Sequence, residues 1–423
     1  MARRRSLVVV VMMVALGLPA CAQVPMHRAL PNLSVSDPSF RPTVEAYAEA
    51  PATGDNRVTL LLNGDEIFPA QLAAIRSARR TITYAQYLFE KGSIGLEMAE
   101  AFAERCRNGV RAHILLDGFG TLGIPREYTE LMKTAGCEVA TFRPVHPLIV
   151  LSPFGFGKGN RRNHRRILVV DGRVGFTGGV GVSPAWQGNG HEKDHWRQTD
   201  VRIEGPVVAS LQASFVENWL EATGNVLGGA PYFPALAPAG NAKGQIIRGS
   251  PTGDRYTMYT SLLLAIAASR HSITVTNPYF VPDERMMNEM MEAARRGVRV
   301  RILLPGPIDN SIVRHASRIN FGELIAAGIE IYEYQAALLH AKTMTVDGLW
   351  ATIGSANFDS RSFALNEELN LVVYDDREIV GRLERVFADD LTRSKKVTED
   401  TWEQRGPIGR LFEVLSLPVH DQL

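Results

Sequence analysis

Residues 339–361 read L-H-A-K-T-M-T-V-D-G-L-W-A-T-I-G-S-A-N-F-D-S-R, and their spacing decides the fold. The run 343–346 is β-branched and apolar, which predicts a short buried strand. Period-two alternation places His340 and Lys342, just ahead of it, on one side. Asp347-Gly348 is a turn signal, where a carboxylate's plain task is to cap the turn. Gly354-Ser355-Ala356-Asn357 follows a second apolar run. An earlier stretch, residues 164–181, reads H-R-R-I-L-V-V-D-G-R-V-G-F-T-G-G-V-G and repeats this design with His164, Arg166, Asp171 and Gly179. Histidine, a cation and a Gly/Ser/Asn turn suit phosphoryl chemistry. One imidazole attacks phosphorus, the cation neutralises phosphate oxygens, and a second imidazole protonates the leaving oxygen.

The repetition extends beyond the two histidines. Residues 74–83, A-I-R-S-A-R-R-T-I-T, match 265–274, A-I-A-A-S-R-H-S-I-T; 107–116, R-N-G-V-R-A-H-I-L-L, match 295–304, R-R-G-V-R-V-R-I-L-L; and A-G-C-E-V at 135–139 matches A-G-I-E-I at 327–331. Strand-like runs at 58–62, 81–89, 110–116 and 137–142 alternate with helical spacing at 69–79, 94–106 and 128–135. The reading is an α/β chain: two tandem αβα domains with largely parallel strands, related by pseudo-two-fold symmetry, with the active site in the cleft between them. The expected boundaries are a signal segment to 21, a tether at 22–57, the first domain at 58–223, a Gly/Pro/Ala-rich linker at 224–244, the second domain at 245–395 and a tail at 396–423. The tail carries a short amphipathic run (Ile408, Leu411, Phe412, Val414, Leu415) expected to dock on the core.

Composition narrows the class. The chain has 423 residues, 46 basic and 45 acidic, for a formal net charge of +1. That balance argues against a broad nucleic-acid footprint. Arg3-Arg4-Arg5 followed by the apolar run 7–18 reads as an export signal, too short for a comfortable membrane span. Three processing readings stay open: cleavage after Ala22, lipidation at Cys21 within Leu18-Pro19-Ala20-Cys21, or an uncleaved anchor. The expected location is therefore exported and membrane-associated. Cys106 and Cys137 are the other cysteines; export permits a disulfide, and two buried thiols is the plainer expectation. Cysteine clusters that would signal a structural metal are lacking.

With the doubled H-x-K-x-x-x-x-D pattern in view, the chain resembles the phospholipase D superfamily. Within it the phrases L-H-A-K-T-M-x-V-D-G, I-G-S-A-N-F-D-S-R-S-F-x-L-N, L-L-D-G-F-G and R-N-H-R-R-I-L-V-V-D-G-R-V-G-F-T-G-G are most similar to the bacterial cardiolipin synthase branch, over roughly residues 58–391. The resemblance implies a two-step mechanism through a phosphohistidine, with no metal or cofactor. It assigns His164 as nucleophile and His340 as acid/base, and counts Arg166, Asp171, Lys342 and Asp347 with them. It places Gly179, Ser355 and Asn357 at the phosphate. It also implies an orienting carboxylate at the start of a later strand: Glu368 matches in the second half, whereas Gln198 occupies that position in the first and is expected to serve His164. The first copy departs further, with Arg166 for lysine and Gly181 for Asn357. Arginine keeps the charge but changes the reach.

The implied function is transfer of a phosphatidyl group from a glycerophospholipid such as phosphatidylglycerol to an alcohol at a membrane surface, by a monomer. A hydrolytic phospholipase D, a nuclease and a non-catalytic lipid-binding protein are the alternatives. His191-Glu192-Lys193-Asp194-His195 satisfies a zinc-protease pattern, but glycines precede it and a strand-like run follows, so a loop at the cleft rim is expected, with His195 or Trp196 near substrate. Residues 147–162, apolar and then basic, suit a lipid tail and an anionic headgroup. Strand ends at Tyr84, Gln86, Asp117, Asn277 and Tyr279 are secondary site candidates.

Overall fold

The computed structural model describes residues 29–145, 160–251, 256–306 and 317–403. Apolar runs of the first half form β1 (Thr53–Leu62), β2 (Thr81–Gln86), β3 (Arg111–Asp117), β4 (Glu138–Phe142), β5 (Ile167–Val170), β6 (Val174–Thr177) and β7 (Thr199–Glu204). The second half gives β8 (Ala242–Gly249), β9 (Ser272–Thr276), β10 (Phe280–Val281), β11 (Arg299–Pro305), β12 (Glu330–Tyr334), β13 (Thr343–Val346), β14 (Trp350–Gly354), β15 (Phe358–Asp359), β16 (Glu368–Tyr374) and β17 (Ser394–Val397). All but β10 and β15 join one sheet of 15 strands, in the order β17-β12-β11-β9-β13-β14-β16-β8-β1-β7-β6-β5-β2-β3-β4. Outward from the β8/β1 seam the order is the same in both directions apart from β17, which is added at one edge, and this is the sequence repeat in topological form.

The pairing is mixed rather than largely parallel. β2–β3–β4 and β9–β11–β12 pair in parallel. The motif strands form antiparallel hairpins, β5 with β6 and β13 with β14. A four-residue strand followed at once by an Asp-Gly turn has chain enough only for a hairpin; a parallel neighbour needs a long crossover.

The seam also makes the core continuous. β1 meets β8 at Thr53↔Gly244 and Asn56↔Ala242. One buried cluster belongs to the first half and another to the second. A third draws on both, with Leu60, Val201, Phe215 and Trp219 beside Ile246, Ile353 and Leu371. Apolar residues on either side of the seam are thus removed from water together.

Of the segment expected to be a tether, the described residues 29–57 are folded. Helix Phe40–Ala48 buries Phe40, Val44 and Ala48, four residues apart, in the same cluster as Met258, Tyr259 and Leu262 of helix Thr257–Ala267. Val35 N–H donates to Ala268 O at 3.2 Å, and Arg270 reaches Asn32 Oδ1 at 2.9 Å. The first described helix therefore rests on the second half, and β1 begins at Thr53, earlier than its apolar run suggests. The expected linker is pinned too: Tyr232 is buried and its hydroxyl lies 2.7 Å from His113 Nε2. Cys106 and Cys137 form a disulfide across a Cα separation of 5.5 Å, in place of the two free thiols expected. The end of helix Ser93–Arg107 stands over the residue that leads into β4, so the fold itself supplies the spacing a disulfide needs. The signal segment with Cys21, the apolar run 147–151, the glycine-rich 155–159 and the tail from 404 lie outside the described residues.

Candidate functional site

Each histidine loop is laid along the start of a strand in the opposite half. His164 N–H donates to Glu367 O at 2.9 Å and Glu367 N–H to Arg162 O at 2.9 Å, so residues 162–164 run beside the start of β16. In the same way Arg197 N–H donates to Leu338 O and His340 N–H to Arg197 O, each at 2.8 Å, beside the start of β7. β7 and β16 flank the seam strands, and that is why their first residues face across it.

The carboxylate follows this crossing. His164 Nδ1 sits 2.9 and 3.0 Å from the two oxygens of Glu368. This corrects the expectation that Gln198 serves His164: the second half's glutamate is the partner of the first half's histidine, across 204 residues of sequence. Glu368 also accepts from Ser355 Oγ at 2.5 Å and Ser362 Oγ at 2.9 Å. Ser355, expected at the phosphate, spends its hydroxyl on the carboxylate instead. Burial pushes the Glu368 carboxyl up to about 7, against the pull of Ser355, Arg166, Ser362 and Lys342.

The remaining groups are cationic or aromatic. Lys342 Nζ lies 3.2 Å from His340 Nδ1 and donates to His340 O at 2.9 Å. Arg166 Nη1 donates to His164 O at 2.5 Å, and the guanidinium lies over the Tyr87 ring. Tyr87 meets His164 edge-on at 4.9 Å, while Trp186 and Trp196 lie 5.2 and 5.5 Å from His340. His164, Arg166, His340 and Lys342 are all buried. Burial drives both imidazoles well below the usual histidine range, with Arg166 and Lys342 adding repulsion. Burial likewise depresses the Lys342 amine, with Arg166 adding to it. Buried cationic donors held this close favour an anion among them, and an arriving phosphate offsets their repulsion. Asn357 Oδ1 is buried with no partner among the described residues.

Asp171 and Asp347 stay out of this cluster. Asp347 accepts the N–H groups of Arg270, His271 and Ser272 at 2.7–2.8 Å; Asp171 accepts those of Arg79, Arg80 and Thr81. Both sit at positive φ, 53°, at the hairpin turns. They are corrected from site residues to clamps on the strands next door, where a short acidic side chain tolerates the left-handed backbone. Asp347→Ala is expected to cost about 2–3 kcal/mol of stability by orphaning those donors. Thermal unfolding will show the loss, while turnover per folded molecule stays at the wild-type level.

Asp117 holds the His164 loop by accepting Asn163 N–H at 2.9 Å and Phe119 N–H at 2.8 Å. Residues 191–195 form bends and a turn, not a helix, so their histidines do not share a helical face. Gln86 is buried and bonds Tyr84, and Asn277 bonds the main chain of 356 and 358, so these strand ends brace the site. Sequence reasoning missed Tyr87, Trp186 and Ser362. Ser362 lies inside a quoted motif phrase, but Tyr87 sits in a bend just past β2 and Trp186 ends a single turn of 3-10 helix, Pro184–Trp186, too short to show a periodicity.

Known proteins can now be set beside this geometry. The family described as "Cardiolipin synthase, PLD-like domain" matches residues 262–391. Cardiolipin synthase 1 of Bacillus anthracis is 35% identical over 379 residues, 88% of this chain and 73% of that one. The cardiolipin synthase of Geobacillus kaustophilus (strain HTA426) is 35% identical over 385 residues, 90% and 75% of the two chains. Phosphatidylserine synthase from Haemophilus influenzae Rd KW20 shares the fold, with a TM-score of 0.67 over 90% of this chain and 98% of that one at 12% identity. The chain belongs to the cardiolipin synthase family of phospholipase D-type enzymes.

Proposed function

We propose that this chain is a phosphatidyltransferase that forms cardiolipin from two molecules of phosphatidylglycerol. The observation that carries the reading is the bidentate approach of Glu368 to His164 Nδ1, opposite His340 and its cations. A carboxylate on Nδ1 fixes the tautomer with its lone pair on Nε2, the atom that attacks phosphorus. The P–O bond to the departing glycerol breaks as His340 gives that oxygen its proton. A phosphatidyl group is then bonded to His164 Nε2. His340, now neutral, takes the proton from a hydroxyl of the second phosphatidylglycerol, whose oxygen attacks phosphorus and frees His164. Arg166 and Lys342 hold the phosphate oxygens throughout.

Purified enzyme given phosphatidylglycerol labelled in its headgroup is expected to release labelled glycerol and form cardiolipin. Phosphatidic acid without cardiolipin would replace this reading with a hydrolytic phospholipase D.

The substrate enters from a lipid surface. No helix among the described residues is long and apolar enough to cross a membrane. The loop after β3, held by Asp117, exposes Phe119 at 40% and Leu122 at 68%. Its Gly120 packs so closely on Tyr87 that a Cβ there would lie 2.0 Å from Tyr87 O, and Tyr87 stands against His164. This apolar tip is our candidate for lipid contact beside the cleft, together with the N-terminal export segment. Phe119→Ser with Leu122→Ser is expected to lower turnover on vesicles by about tenfold or more, the effect of withdrawing two apolar side chains from lipid. Turnover of a short-chain, monomeric phosphatidylglycerol should stay at the wild-type level; an equal loss on both substrates rejects the contact.

A further inference from the structure

The strands that start beside the two histidines carry the same polar pair in opposite order. β16 opens Glu368-Leu369-Asn370, and the start of β7 reads Gln198-Thr199-Asp200. Asn370 Oδ1 accepts the N–H groups of Ser355 and Ala356 at 3.0 and 3.1 Å. Asp200 Oδ1 accepts the N–H of Gly179, the counterpart of Ser355, at 2.9 Å. Glu368 is therefore matched by Gln198, and Asn370 by Asp200. Carboxylate and amide have exchanged places two residues apart, on the same face of equivalent strands. All four side chains are buried.

The orientation of the Gln198 amide is fixed by its neighbours. Nε2 donates to Thr199 O at 2.9 Å and to Asp200 Oδ1 at 2.6 Å. Both are acceptors, so only the NH2 end fits there and Oε1 is turned the other way. That oxygen is buried with no partner among the described residues. His340 N–H donates to Arg197 O, the residue before Gln198. Gly179 lies against the Gln198 amide, where an added Cβ would stand 2.9 Å from Nε2 and 3.1 Å from Oε1, and its backbone favours the protonated form of His340. The equivalent placement in the other half puts Glu368 on His164.

We propose that Gln198 and Asp200 act together as the positioning pair of His340, Gln198 Oε1 accepting the imidazole N–H while Asp200 supplies negative charge at one remove. The proposal rests on the reading of His340 as acid/base. An amide polarised by a buried carboxylate stabilises an imidazolium less than a carboxylate in contact does. His340 thus becomes a readier proton donor than it would be with a glutamate against it, at the cost of being protonated over a lower pH range. The groups around it are set for this balance. Lys342, Arg166 and His164 oppose its protonation, Trp186 and Trp196 are neutral, and Glu368 is engaged with His164. Burial holds the Asp200 carboxyl up to about 6, against the pull of Gln198, Gly179 and Arg166. Because His340 must carry the proton it donates, the alkaline limb of activity follows its protonation. Weakening the negative charge draws that limb to lower pH, and moving a carboxylate into contact draws it to higher pH.

The test compares the full-length wild type with Asp200→Asn and with Gln198→Glu/Asp200→Asn. Asparagine at 200 keeps the acceptor for Gly179, as Asn370 does in the other half, so the turn is retained. Two measurements are made: the pH profile of kcat on phosphatidylglycerol, and the midpoint at which His340 takes up a proton, read by NMR of 15N-labelled histidine without substrate. Asp200→Asn is expected to lower the midpoint and the alkaline limb by about one pH unit, with turnover above the limb falling about tenfold. The double variant should raise both above wild type by a similar amount. Coincident midpoints in the three chains, or no proton uptake by His340 above pH 5 in any of them, overturn the proposal. Failure of the parent reading looks different: the midpoints move in the expected order, but cardiolipin formation is absent in all chains or survives His340→Ala.

Discussion

His164→Ala leaves no acid-quenched lipid–protein adduct when the enzyme is mixed with radiolabelled phosphatidylglycerol, and turnover falls by about 10^4-fold or more. Loss of a nucleophile removes the covalent intermediate itself, since His164 is the imidazole that the Glu368 carboxylate orients. His340→Ala stops turnover on phosphatidylglycerol to a similar degree, because an alkoxide is a poor leaving group without a proton. The two variants separate on a phosphatidyl donor whose leaving group is nitrophenol. Nitrophenolate departs unprotonated, so His340→Ala should give a single burst of nitrophenol and a stable adduct, while His164→Ala gives neither. A burst from His164→Ala and none from His340→Ala would reverse the two roles.

Glu368→Gln should lower kcat by about 10^3-fold with little change in the affinity for lipid. The amide presents no negative charge to a histidine that becomes cationic as it bonds to phosphorus, and it permits the wrong tautomer. Glu368→Ala adds a structural loss. Ser355 Oγ and Ser362 Oγ both donate to this carboxylate, and Asn366 Nδ2 approaches it at 3.4 Å. Removing the shared acceptor is expected to destabilise the fold by about 2–3 kcal/mol, read as a fall in the midpoint of denaturant unfolding. The glutamine variant should unfold near the wild-type midpoint. Equal kcat for wild type and Glu368→Gln would refute the orienting role.

Much of this was legible in the sequence because it is written there twice. The repeat gave the duplicated sheet and the two histidines, and alternation around residues 343–346 put His340 and Lys342 together at its edge. What could not be read was which half serves which. Gln198 and Glu368 read as equivalents, but the crossing of Glu368 to His164 depends on how the halves join, and a seam of one strand pair in register at two positions leaves no local mark. The motif aspartates read as turn caps from their own residues and as site members only through the resemblance. Their spacing from the histidine is regular because a four-residue strand separates them, and that strand carries Asp171 and Asp347 away from the cleft. The helix at 40–48 was missed because only Phe40, Val44 and Ala48 carry its pattern, too few for a confident period. The disulfide required a distance, and sequence contains none.

That helix has a consequence for how the chain is made. Its packing partner, helix Thr257–Ala267, emerges from the ribosome more than 200 residues later. At synthesis rates of about 5–20 residues per second, the apolar face of residues 40–48 waits for roughly 10–40 seconds with nothing to cover it. The first half can assemble most of its strands in that interval. Completion of the second half must then reach back past it to capture helix Phe40–Ala48, so a segment made early is among the last to be buried.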